Sequence, residues 1–144
     1  MTYERSTRSG LVQLGYLVDG STISIRLRSM LGKPDYLVAV ACKAKRIAGW
    51  VQAHASTALE SGARVEIVGL VVSAEVRRRG IGHLLVDFVE RWAATVSAET
   101  VVVRSNVARD ESHAFYPALG YTRTKTQAVY RKLAPKRHKQ PQKD

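Results

Sequence analysis

The chain has 144 residues, 45% of them apolar, and a net charge of +11 from 23 basic and 12 acidic side chains. That length suits one domain with one core and is short for two. No apolar run approaches the roughly 18 residues of a membrane span, and Met1 to Arg8 hold no apolar stretch of the signal-peptide kind, so a soluble, cytoplasmic protein with no membrane partner is the expectation. Position narrows what the charge means. Lys136, Arg137, Lys139 and Lys143 follow Pro135 without apolar periodicity, so residues 135–144 read as a basic, disordered tail and residues 1–134 as the domain. Those four cations less Asp144 make +3, which leaves +8 elsewhere.

Residues 11–16 and 23–31 predict two short helices with Asp19 and Ser21 as caps, although residues 23–27 would also suit a strand. Residues 36–42 and 47–54 are β-rich apolar runs joined by Lys43, Ala44, Lys45 and Arg46, a hairpin signal. Cys42, the single cysteine, can form no internal disulfide and reads as a small buried thiol. After a polar stretch over 56–62, residues 64–72 predict a central strand, in which Gly69 marks a bulge or a close backbone approach. From Ile81 the apolar residues fall at 81, 84, 85, 88, 89 and 92, an amphipathic helix with Asp87, Glu90 and Arg91 outward. Residues 100–104 predict a buried strand, 110–118 a short helix, and 121–125 with 129–133 a closing hairpin. The class is α/β without internal repeats.

Arg77, Arg78, Arg79, Gly80, Ile81 and Gly82 join the central strand to the amphipathic helix. Three arginines at a helix start oppose the helix dipole, which favours negative charge there. An anion resolves the conflict: first-turn N–H groups point at it, and Gly80 and Gly82 let the backbone come close. A solvated turn is the plainer reading, and a Gly-x-Gly before a helix is weak by itself. A Walker loop is excluded because His83 and Leu84 follow Gly82, and a dinucleotide fingerprint because Leu85 stands where its third small residue belongs.

The pattern Arg-x-x-Gly-x-Gly at 77–82 after a strand over 66–72 resembles the acyl-CoA signature of the GNAT superfamily of N-acetyltransferases. Ser105 and Asn106, then His113, Ala114, Phe115 and Tyr116, then Leu119, Gly120 and Tyr121 are similar to the segment after that family's fifth strand. The resemblance spans about residues 36–133. It implies a mixed, mostly antiparallel sheet splayed between its fourth and fifth strands and flanked by helices, with acetyl-CoA as cosubstrate and a small-molecule or peptide amine as acceptor.

By that resemblance, pantetheine would pair with backbone at Leu70, Val71 and Val72, and the Val72 N–H would face the thioester oxygen. Loop amides from Arg78 through Gly80, Ile81 and Gly82 to His83 would take the pyrophosphate, with Arg77, Arg78 and Arg79 screening its charge. Glu66, on the thioester-holding strand amid apolar neighbours, is the candidate base; the alternative is a carboxylate paired with Arg64 or Arg104. Tyr116 is the candidate acid for the departing thiolate, or else a packed aromatic beside Phe115. Asn106 would hold cofactor or water, or shape a turn. His54 and His113 read as structural or solvated, and no metal site is expected.

Two departures qualify the pattern. The family opens with a strand that Met1 to Arg8 do not show, so the first strand is missing or mis-started and a homodimer could cover the sheet edge. Pro117 predicts a helix that ends or kinks at Tyr116. The competing functions are a catalytically silent acyl-CoA-binding module and a nucleic-acid-binding protein that uses the basic tail, the less favoured of the two.

Overall fold

The computed structural model describes residues 20–77 and 79–137, which fall into two compact units, one ending at Ser105 and the other beginning at Asn106. In the first unit, helix α1 (Gly20–Met30) leads to strands β1 (Tyr36–Lys43), β2 (Arg46–Ala58) and β3 (Gly62–Val72). A 3-10 turn (Ala74–Val76), helix α2 (Ile81–Thr95) and strand β4 (Thr100–Val103) complete it; the second unit holds helix α3 (Asp110–Ala118). The strands form one sheet in sequence order, antiparallel from β1 to β3 and parallel between β3 and β4. This is the mixed α/β architecture expected from the sequence. Residues 23–27 are helical, and Ser21 stands inside α1 instead of capping it. The expected helix at 11–16, the cap at Asp19 and the question of an opening strand lie outside the described residues, as do Arg78 and residues 138–144.

The β1–β2 turn falls where the sequence puts it. Lys43 pairs with Arg46, and Ala44 and Lys45 between them have φ of 49° and 61°. Both sit in the left-handed region, as a two-residue I′ hairpin requires, without the Asn or Gly that adopts it most readily. β2 and β3 run on through the stretch read as a polar loop, so that Ala58 lies opposite Gly62.

The register between β2 and β3 changes once. Gln52 faces Gly69 but Ala53 faces Ile67, which leaves Val68 as an extra residue and makes a bulge beside the expected glycine. Gly69 also meets the second expectation, because a Cβ there would lie 2.8 Å from the Trp50 ring. The extra residue reverses the alternation. Leu70 and Val72 share a face with Val51 and Gly49, whereas Val71 joins Trp50 on the face that carries Glu66 and His54.

The core lies on one side of this sheet. Ala41, Val51, Ala53, Val65 and Ile67 are buried there, and α2 covers β2 and β3 with Leu85, Val86, Val89 and Ala93. Burying a valine such as Val51 or Val89 stabilises the fold by roughly 1.5–3 kcal/mol. The buried stripe of α2 is rotated from the expected one, since Leu84 and Phe88 stay about half exposed. A helix lying on a sheet buries an arc narrower than its apolar arc, and Phe88 is instead flanked by the Arg91 guanidinium at 5.7 Å. Asp87, Glu90 and Arg91 face outward as expected. On the opposite side of the sheet, the Gln52 amide reaches Met30 Sδ of α1 at 3.1 Å, and Leu27 is buried.

Three expectations are corrected. Cys42 is exposed, because Ala41 before it on β1 takes the buried face and successive residues of a strand point to opposite faces. β4 is half-buried at most. Residues 121–137 form no strand, and Val129, Tyr130 and Leu133 are 86%, 93% and 80% exposed; apolar alternation makes a ribbon only when one face is covered, and a lone two-stranded ribbon is marginal in water.

Gly69→Val should cost about 1–3 kcal/mol, since the new side chain must displace Trp50 or undo the bulge. Urea denaturation against the parent chain measures it, and an unchanged midpoint would contradict the close approach.

Candidate active site

Three groups of expected site residues occupy the first unit. Glu66 is on β3, opposite His54 of β2 and Val102 of β4. Its Oε1 accepts a hydrogen bond from Arg104 Nη1, so of the two arginines considered from sequence it is Arg104 that pairs with it. The Glu66 side chain is 22% exposed and that of Arg104 51%. The pair therefore sits at the rim of the sheet face, with water on the arginine side.

Leu70, Val71 and Val72 form the second group. The parallel ladder runs from Arg64 opposite Thr100 to Ile67 opposite Val103 and stops, while β3 continues to Val72. β4, the fifth strand of the expected fold, ends at Val103, so the edge of β3 beyond Ile67 faces no strand among the described residues. An extended ligand could pair there as an added strand. Arg77 marks the far end of this edge, its Nε donating to the Val72 carbonyl at 3.4 Å.

The loop is the third group. Arg79 is exposed, Gly80 has φ 79° and ψ 8°, and α2 begins at Ile81, with Gly82 and His83 in its first turn. A Cβ at Gly80 would meet nothing within 4 Å, so it is the left-handed backbone that favours glycine here. α2 has no side-chain cap and no acidic residue in its first turn. Its first amides are left to solvent or to an anion. Arg78 lies outside the described residues.

Tyr116 and Asn106 belong to the second unit. Tyr116 lies edge-on to Phe115 (5.0 Å between centroids) and to Tyr121 (5.8 Å). Burial pushes its phenol above the usual tyrosine range, with the Arg109 cation pulling the other way. It is thus a protonated donor at neutral pH. The helix does not end at Tyr116 as Pro117 predicts: α3 runs through Pro117 to Ala118, so near its end that the missing N–H costs one bond. Leu119 and Tyr121 then both donate to the Tyr116 carbonyl, at 3.0 and 3.1 Å. Asn106 Oδ1 accepts from Ala108 N at 2.9 Å, an Asx turn leading into α3. His113 is structural, its Nε2 2.7 Å from the Val107 carbonyl.

Sequence reasoning missed the neighbours of Glu66 on its own face. His54 Nε2 lies 3.4 Å from Asp35 Oδ2, and its ring is 4.6 Å from that of Tyr36, its partner on β1. Among the described residues no three His, Cys, Asp or Glu side chains gather as a metal site would require, and no helix is long and apolar enough to cross a membrane.

The sequence model of the Acetyltransferase (GNAT) family matches residues 14–121. The chain belongs to that family. Membership makes it an acyl-CoA-dependent N-acetyltransferase, with acetyl-CoA as cosubstrate. A curated relative, the uncharacterized N-acetyltransferase YhdJ of Bacillus subtilis (strain 168), is 26% identical over 106 residues, 73% of this chain and 75% of that one. Among solved structures, AAC(6')-Iy in complex with a bisubstrate analogue superposes with a TM-score of 0.81 at 18% identity, covering 92% of each chain. The glucosamine-6-phosphate N-acetyltransferase of Arabidopsis thaliana gives 0.75 at 17% identity, covering 90% of this acetyltransferase and 94% of that chain. At such identities the likeness is one of fold.

The raised Tyr116 value has a consequence for stability. A phenol ionising less readily in the folded chain stabilises it fully below the ordinary value of 10.0 and ceases to do so as pH rises through the folded value. In urea melts above pH 10 the parent chain should therefore lose more stability than Tyr116→Phe. Parallel losses would remove the buried phenol from the account.

Proposed function

We propose that the chain transfers the acetyl group of acetyl-CoA to a primary amine of a small molecule, by direct attack of the amine in a ternary complex. The observation that carries this reading is the open edge of β3 beyond Ile67, where β4 has ended, beside the uncapped N-terminus of α2. The edge suits an extended amide-bearing arm and the helix end a diphosphate. The named relatives support the acceptor class: one structure holds an analogue that joins CoA to acetylneamine, and another enzyme is named for glucosamine 6-phosphate.

In this reading the pantetheine arm pairs with the main chain of Leu70, Val71 and Val72. The pyrophosphate takes the amides of Ile81, Gly82 and His83 past Gly80, with Arg77, Arg78 and Arg79 supplying charge. Asn106, its oxygen used in the turn, offers its side-chain N–H groups to the cofactor. An ordinary alkylamine is about three units too basic to be neutral at pH 7, so a proton must leave before attack. Glu66 accepts it, directly or through water. The Val72 N–H donates to the oxyanion that forms, and Tyr116 protonates the departing thiolate.

A screen of amine classes with released thiol as readout tests the activity: at least one small-molecule amine should release CoA. Cofactor binding without thiol release from any amine would leave only a silent acyl-CoA-binding module. Glu66→Gln should lower kcat about 10²–10⁴-fold at neutral pH with acetyl-CoA binding kept. Gly82→Trp should instead raise the KM for acetyl-CoA, because the backbone approach at the helix start is blocked.

A further inference from the structure

Arg64 is a cation without a counter-charge on the face that carries Glu66. It stands two residues before Glu66 on β3, opposite Ser56 of β2 and Thr100 of β4, so all three project to the side of the sheet that Glu66 faces. Its Nε is buried and has no hydrogen-bond partner among the described residues. The carboxylate closest to it along the strand is taken, because Glu66 Oε1 accepts from Arg104. Asp35 is engaged by His54 across β2, and Glu99, whose carboxylate lies over Gly62, makes no ion pair with Arg64.

A guanidinium cannot shed its proton, so Arg64 keeps its charge where it is. A buried donor left unmade costs more when it belongs to a charged group. An oxyanion would relieve that cost, since Nε and a terminal nitrogen of arginine together form a fork that a carboxylate or phosphate fits with two bonds. The hydroxyls of Ser56 and Thr100, one on each flanking strand, can donate to the same anion. Positive charge is also in excess here, with Arg64 and Arg104 around the single carboxylate of Glu66. A polycation would be repelled from this part of the face, and an anion drawn to it.

We propose that Arg64, with Ser56 and Thr100, anchors an oxyanion of the acceptor, so that the amine which is acetylated belongs to a molecule bearing a carboxylate or phosphate. The inference deepens the transfer reading and rests on it, since Glu66 is what marks this face as the acceptor side. Residues two apart on a strand stand about 7 Å from each other, so the amine over Glu66 and the anion over Arg64 are separated by roughly that distance. One sugar ring with its substituents spans it, as does a short alkyl chain, whereas the ammonium and carboxylate of an α-amino acid are too close together.

Two measurements on the whole chain test this. In the first, the chain is saturated with CoA, so that the loop arginines are occupied, and the binding of glucosamine 6-phosphate and of glucosamine is compared by calorimetry. The phosphate should tighten binding about 10–100-fold, as one or two charge-assisted bonds would. Arg64→Gln should abolish the preference and Arg64→Lys should restore part of it, with thermal melts checking that both variants fold. Equal binding of the two sugars to the parent chain overturns the proposal without recourse to any variant, and so does a preference that survives in a folded Arg64→Gln. The second measures kcat/KM by thiol release for two matched pairs, glucosamine 6-phosphate against glucosamine and 6-aminohexanoate against hexylamine, with sisomicin as a polycationic amine. The anionic member should lead in at least one pair, and which pair it is tells phosphate from carboxylate; Arg64→Gln should bring that ratio toward one through the KM of the anionic amine. Sisomicin acetylated faster than either anionic amine, with no change in Arg64→Gln, sinks this inference and leaves the transfer reading standing. Arg64-dependent binding with no thiol released from any amine overturns the transfer reading, and the assignment of the anion site to an acceptor goes with it.

Discussion

β3 carries one residue more than β2 can pair, and the placement of that surplus governs the site. With Val68 left out of the ladder, the strand twists and its alternation reverses between Ile67 and Gly69. Before the bulge, Val65 and Ile67 are anchored in the core under α2 while Glu66 points to the other face. After it, Leu70 and Val72 turn toward the α2 side, and the ladder to β4 has already ended. The strand thus presents the Glu66 carboxylate on one side of the bulge and unpaired main-chain edge on the other, the two features the proposed mechanism uses. Trp50 enforces this, since its ring fills the space that a side chain at position 69 would need.

Charge is arranged around the same strand with a gradient of exposure. Arg104 meets Glu66 from the end of β4, whereas His54, opposite Glu66 on β2, pairs with Asp35, the residue preceding β1. A half-exposed ion pair adds little to stability. What it contributes is orientation, because a carboxylate held by a guanidinium on one side offers its remaining lone pairs in a limited set of directions. Arg77 and Arg79 lie at the other end of β3, and Arg77 turns back onto the Val72 carbonyl. In the proposed reading the two charged regions serve different chemistry, one the movement of a proton and the other the seating of an anion.

Much of this was legible in the residues themselves. The run of strands, the turn at Ala44 and Lys45, the helix after Gly80 and the bulge near Gly69 all follow from patterns only a few residues long. The lateral order of side chains does not. Counting outward from the Lys43–Arg46 pair puts Tyr36 opposite Ala53, and the irregularity between Ala41 and Cys42 moves its partner to His54. A one-residue slip changes the pairing of every side chain beyond it, so the line through Tyr36, His54 and Glu66 cannot be read without knowing that irregularity. Helix α2 shows the complementary limit: its periodicity located the helix, but how much of the apolar arc meets the sheet depends on the sheet's width. The closing hairpin failed for a related reason, since alternation says which residues share a face and not whether anything covers it.

β4 joins the sheet through four residues on one side, whereas β3 is clamped to β2 along ten. The two strands are therefore unequal in firmness. Amide protons in β4 should exchange with solvent sooner than those at the centre of β3, because breaking a short parallel ladder frees β4 and leaves β3 held by β2. A ligand pairing with the open edge of β3 would find a fixed template next to a strand end that can yield. Differences in the size of what is accommodated would then be taken up by β4, without disturbing the strand that holds Glu66.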